Sequence, residues 1–300
     1  MTAPSVSVLG QAQWSARESA HQQRVAGFLT PHLQRAQRGE AHPVWDFLFT
    51  YYSLRPRQLR RWHPGFGVGL QGPDAGRFLT RTGYRRTEDT VTVTAELLES
   101  RRDTVTFIAE LLAGTADRPA RFNCFGLHEW AMVYRAPAVR HGQVPLRLGS
   151  AGTDAVVDSM PLRCSHFDAF RFFTPSAAPL NADQLRRDTQ TRHEQPGCIH
   201  AGMDLYKWAY KLGPLVRSEL VMDCLELAAE ARAIDMRASP YNLTAYGFAP
   251  ITIETADGRA EYVRAQQGLA RRAAPLRAEL ARHCEYLLRS RRTAQAPSHG

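Results

Sequence analysis

The chain has 300 residues, 44% of them hydrophobic and 22% charged, which excludes a disordered polypeptide and supplies enough apolar matter for a large core. Its net charge of +9 suits a polyanionic partner or a small acidic ligand. The start MTAPSVSVLGQAQW does not read as a signal peptide, no apolar run approaches the roughly 18 residues of a membrane span, and five irregularly spaced cysteines argue against a disulfide framework. A cytoplasmic location with no membrane partner is therefore expected.

In chain order, residues 1–10 are expected to be disordered, and 11–38 read as a helix interrupted at Pro31. VWDFLFTYYSL, 44–54, reads as an aromatic helix, and Pro56 opens a short helix over RQLRRW. A glycine-rich turn follows at 63–76, then helical spacing over 96–113 and over FGLHEWAMVYR, 125–135. The middle, 140–195, is broken by Gly, Pro, Asn and Asp, and predicts loops with a few short strands. Helices return at 204–212, 214–236 and 259–291, with a strand at 251–254 and a disordered end at 293–300. The prediction is a single mainly α domain over 11–292 with an irregular middle region.

Lys207 and Lys211 are the only two lysines among 38 basic residues. They lie one turn apart on the helical face of Asp204 and Trp208, with Tyr206 and Tyr210 on another face. A structural account makes Asp204 an N-cap or an ion-pair partner of the lysines, worth a few tenths of a kcal/mol. A chemical account notes that lysine, unlike arginine, can act as an amine nucleophile or as a compact charge for phosphate. Both stand at this level.

Trp45, Phe49 and Tyr52 recur at core-like spacing, ahead of Arg55, Arg57, Arg60, Arg61, His63 and a turn carrying Gly65, Gly67 and Gly69. Exposed amides in such a turn, with arginines beside them, could hold phosphates. His128-Glu129 and His166 with Asp168 sit among aromatic residues, where a carboxyl group can have a raised pKa and serve as an acid or base. Cys164-Ser165-His166 and Cys198-Ile199-His200 could close a Cys2His2 zinc site, but buried thiols and hydrogen-bonded imidazoles are the reading taken, and no metal or cofactor is expected.

Five long strings, HPVWDFLFTYYSLRPRQLRRWHPGFG, FGLHEWAMVYR, RCSHFDAFRFFTP, EQPGCIHAGMDLYKWAYKL and DMRASPYNL, resemble a family of high-GC bacterial proteins that carry the name 3-methyladenine DNA glycosylase. The likeness covers about residues 40–265. It implies an N-glycosyl hydrolase of DNA base-excision repair, binding alkylated double-stranded DNA with no obligate protein partner and flipping the damaged base into a pocket. The residues this implies are Asp204 as the carboxylate that assists cleavage, with Glu129, Asp168 and Lys207 as further catalytic candidates. Trp62 and Trp208 would stack on the base, with Tyr206, His128, His166 and His200 also at the substrate and Arg60, Arg61 and Lys211 on phosphates. The alternative is an enzyme for a small anionic or nucleotide-like metabolite, with no nucleic-acid partner.

Overall fold

A computed structural model describes residues 7–137 and 143–290. Strand β1 (Ser7–Leu9) leads into α1 (Gln11–Gln37), then the single turns α2 (Phe47–Thr50) and α3 (Pro56–Leu59). Strands β2 (Val68–Gln71), β3 (Tyr84–Thr87) and β4 (Thr90–Val93) precede α4 (Ala95–Ser100), α5 (Arg102–Ala116) and α6 (Leu127–Ala131). The irregular middle holds α7 (Gly149–Ser159), α8 (Phe167–Phe170) and α9 (Gln190–His193). Three long helices finish the chain: α10 (Ile199–Lys211), α11 (Ser218–Arg237) and α12 (Ala256–Ser290). The mainly α prediction holds.

The differences have local causes. Residues 7–9, expected to be disordered, pair in parallel with β2, while 1–6 and 291–300 lie outside the described residues. The sheet runs β1-β2-β4-β3, so among the described residues every strand falls within 7–93. The described part of the middle contributes two isolated bridges, Leu146 with Tyr241 and Leu162 with Asn181. The strand expected at 251–254 does not form. Ile251 donates its amide to Arg237, and both Ile251 and Ile253 are buried against the group that contains Leu127 and Trp130.

Helix α1 runs through Pro31 because contacts hold both of its sides. Val25 and Leu29 are buried below, while His32 and Arg35 pair with Asp46 above. The same Asp46 accepts the His42 amide, which holds 42–46 as a turn and cuts the expected aromatic helix to α2. At Arg101 the expected 96–113 helix breaks into α4 and α5.

Helix α10 is the centre of the fold. It begins five residues earlier than the sequence pattern suggests and folds back on α11 through Gly213-Pro214. Neighbours α11 and α12 cover it so fully that all residues from Ile199 to Ala209 are buried. Asp204 is consequently mid-helix, not an N-cap. Gly126, in the left-handed region at φ 75°, caps α6, and Trp130 Nε1 donates to the Ala238 carbonyl at 2.8 Å, which fastens α6 to the end of α11. Among the described residues no helix is long and apolar enough to cross a membrane.

Candidate active site

Helices α6, α8, α10 and α11 converge and bring together most of the residues that the sequence picks out. Lys207 is only 8% exposed and donates to Asp168 Oδ2 at 2.7 Å and to Asp204 Oδ2 at 2.5 Å. Asp204, 1% exposed, also accepts from the Tyr52 hydroxyl at 3.2 Å. Burial opposes its ionisation, but Lys207 and His166 outweigh burial and hold the carboxyl well below the usual range. Burial likewise works against the Lys207 charge, and Asp204 with Asp168 reverses that and raises its pKa. Lys207 is therefore a locked ammonium and not a free amine, which removes the nucleophile account.

Asp168 is also bound by Arg187, at 2.6 Å, and paired with Arg171 at 3.2 Å. His166 Nε2 stands 3.3 Å from Asp204 and 3.4 Å from Glu194, out of line for a hydrogen bond to either. Burial lowers its proton affinity, and Glu194 and Asp204 more than restore it. The Glu194 carboxyl is raised, chiefly by burial.

A second cluster adjoins the first. His128 Nε2 meets Asp235 Oδ1 at 2.6 Å, and its Nδ1 lies 3.5 Å from Cys124 Sγ. Arg232, three residues before Asp235 on α11, donates to Glu129 at 2.9 Å and to Asp235 at 3.2 Å. The imidazole of His200 links the clusters, with centroid distances of 4.5 Å to His128 and 5.4 Å to His166. Burial, and then the neighbouring His128, push His200 down to about 3, so it is a neutral ring. Burial raises the Glu129 carboxyl against the pull of Arg232. His128, Glu129, His200 and Asp235 place one potential ligand atom each within 4.8 Å of one another. Metal-like grouping thus runs through these residues and not through the pairs Cys164/His166 and Cys198/His200.

Two recesses open onto the clusters. The inner one, about 260 Å³, has Glu129, His200 and Arg232 at its floor and the rings of Phe47, Tyr51 and Phe172 in its wall. Phe47 and Tyr51 stack at 4.6 Å, and the guanidinium of Arg232 lies 4.0 Å over Phe47. Burial and the nearby Asp204 push the Tyr51 phenol up to about 12, so it remains a donor. The outer recess, about 620 Å³ and wider, is rimmed by Arg171, Arg187, Lys207 and Lys211. Tyr51 and Asp168 line both, so the two recesses adjoin.

Other expectations need correcting. Trp62 is 0% exposed and bonds Glu219 through Nε1, so no base can stack on it. Tyr206 is equally buried in the core. Trp208, 4% exposed, borders the outer recess beneath the ammonium groups of Lys207 and Lys211, 4.3 and 5.3 Å from its ring centroid. Arg60 is exposed and lines neither recess, and Arg61 lines a different one beside His63 and Arg81. The glycine-rich turn is occupied internally. Phe66 donates its amide to Leu215 at 2.8 Å, and a Cβ on Gly65 would come within 3.2 Å of the Arg217 nitrogen. The Phe66 amide is therefore not free for a phosphate.

Sequence reasoning missed Arg232, Asp235, Glu194, Arg187 and Tyr51. The available signal for the first two was an Arg and an Asp at i,i+3 in the alanine-rich stretch LAAEARAIDMR. Compared with protein-family models, curated proteins and solved structures, the chain matches none.

Proposed function

We propose that the chain is an enzyme for a small anionic, ring-bearing substrate of the nucleotide type, held with its ring in the inner recess and its anionic group in the outer one. The observation that carries this reading is that the two recesses adjoin at Tyr51 and Asp168: aromatic walls and acid–base groups on one side, cations on the other. Phe47, Tyr51 and Phe172 offer faces for stacking. Lys211, Arg171 and Arg187 offer charge to a phosphate or carboxylate. Glu129, positioned by Arg232, and the neutral ring of His200 are the groups placed to move protons at the inner end. Lys207, at the rim of the outer recess, positions Asp168, and Asp204 backs Lys207 from beneath.

The DNA N-glycosylase implied by the resemblance is the second reading, favoured by the ring-walled recess beside a carboxylate, which suits a flipped base. It loses one of its expected supports, the stacking Trp62.

Titrations with nucleoside monophosphates, inorganic phosphate and methylated duplex DNA over a salt series separate the two. A nucleotide that raises the melting temperature, with no steeply salt-dependent duplex binding, supports the small substrate. Steep salt dependence together with release of free 3-methyladenine establishes the glycosylase instead.

A further inference from the structure

We propose that His128, His200 and Asp235 bind a divalent first-row transition-metal ion, with Glu129 facing its open coordination position from the floor of the inner recess. The donor set is two imidazoles and one carboxylate, which suits zinc, iron(II) or manganese and leaves room for water. Two ligands about 2.1 Å from a shared ion lie at most about 4.2 Å apart, so donor atoms already within 4.8 Å of one another need only a small contraction.

Three further features point to an ion. Nε2 of His200 is 3.7 Å from Asp235 Oδ2, too far for a hydrogen bond, so the ring and the carboxylate face each other across a gap. His128 is held from behind by Cys124 at Nδ1, which leaves Nε2 turned to the cluster, the arrangement by which outer partners orient a ligating imidazole. His200 and Glu129 line the recess and His128 and Asp235 do not, so an ion here would be reached by substrate from the recess.

Charge agrees with the arrangement. Glu129 and Asp235 supply two negative charges and Arg232 one positive, and the ion takes the place of the proton that His128 otherwise shares with Asp235. An ion of charge two then leaves one net positive charge, which an anionic substrate oxygen would neutralise. Glu129 would take the proton of a bound water, a transfer that leaves the total charge of the site unchanged, and the ion would supply a hydroxide nucleophile.

Cobalt(II) added to chelator-stripped full-length protein tests the site without any substrate, so its outcome is separate from that of the substrate reading. One equivalent retained through gel filtration, with visible d–d bands and no thiolate charge-transfer band, is the expected result. Folded His200→Gln and Asp235→Asn variants, checked by circular dichroism, should lose more than about a hundredfold in cobalt affinity, beyond the cost of losing an outer partner, and Cys198→Ser should retain the ion. No retained cobalt, a thiolate charge-transfer band, or unchanged affinity in both folded variants overturns the assignment. Should either variant fail to fold, the bands of the wild-type complex decide between imidazole–carboxylate and thiolate ligation.

Discussion

Lys207 Nζ lies 2.7 Å from Asp168 Oδ2, so an ammonium on the buried helix α10 holds the carboxylate that both recesses share. The same ammonium contacts Asp204, and its loss would leave two carboxylates with little solvent. Lys207→Met, which keeps the stem and removes the charge, should cost about 3–5 kcal/mol in urea unfolding. Adding Asp204→Asn to Lys207→Met should recover part of that loss, and a purely additive cycle would show that the pair is not coupled. The pH dependence follows in sign. Both carboxyls are depressed in the folded state, so they stabilise above the unfolded value near 4 and that stability is lost as pH falls through the folded values. In Lys207→Met the loss should begin at a higher pH than in the wild type.

Lys211 is exposed, and burial and the adjacent Lys207 both lower its pKa. A cation so placed gains from an arriving anion. Lys211→Gln should leave unfolding stability within about 0.5 kcal/mol. Affinity for a phosphate-bearing ligand should fall about three- to tenfold, equal to about 0.7–1.4 kcal/mol, and isothermal titration at two salt concentrations measures it. Unchanged affinity would place the anion elsewhere.

His63 gives a second pH window. Burial, with Arg81, His21 and Arg61 nearby, pushes it down to about 3, while its unfolded value is near 6.5. Below pH 6.5 the unfolded chain binds a proton that the folded one refuses, so stability falls as pH drops through that window. Between pH 6.5 and 5 this group alone should account for about 1.6 kcal/mol. His128 and His166 are raised and act in the opposite sense, stabilising at low pH and less so as pH rises through their folded values. The diagnostic is therefore a difference: His63→Gln should make the slope of the urea midpoint against pH less positive than in the wild type.

Trp62→Ala should cost about 3–5 kcal/mol, the range for emptying a large core site. The affinity of the surviving folded protein for a ring-bearing ligand should not change. Tyr51→Ala, at the wall of the inner recess, should show the reverse pattern of a weak ligand and a modest stability loss. Fluorescence-detected unfolding and ligand titration of the two variants, side by side, check it.

The contrast between these two rings shows what the sequence can and cannot disclose. The stripe of Asp204, Lys207, Trp208 and Lys211 is legible because lysine is rare in this chain and helical periodicity fixes a face. His128, Glu129, His166 and Asp168 stand out as polar groups within aromatic strings. Whether an aromatic residue faces ligand or core is set by what packs over it, so Trp62 and Tyr51 look alike in the sequence. Arg232 and Asp235 resemble ordinary charges of an amphipathic helix until α6 and α10 close over them. The short strands follow the same logic. β1 and β2 are too brief to show alternation and form through a pairing 61 positions apart, Ser7 with Val68.

Gly126 ties that tertiary closure to chemistry. Its φ of 75° is disfavoured for any other residue, and a Cβ there would meet the Ala238 Cβ at 3.2 Å and the Tyr262 ring at 3.4 Å. Gly126→Ala should therefore cost about 1–3 kcal/mol. His128 and Glu129 follow two and three residues later on α6, so the relief of that contact must tilt the short helix and displace both side chains. Activity, or cobalt affinity where no substrate is in hand, should fall further than stability accounts for, since a displacement near 1 Å at a catalytic group costs on the order of a hundredfold. Gly268→Ala is the control. It lies inside α12 with open space around it and should gain up to about 1 kcal/mol with site function unchanged. Equal losses of stability and function in Gly126→Ala, with wild-type cobalt affinity in the folded fraction, would show that α6 does not set the geometry of the site.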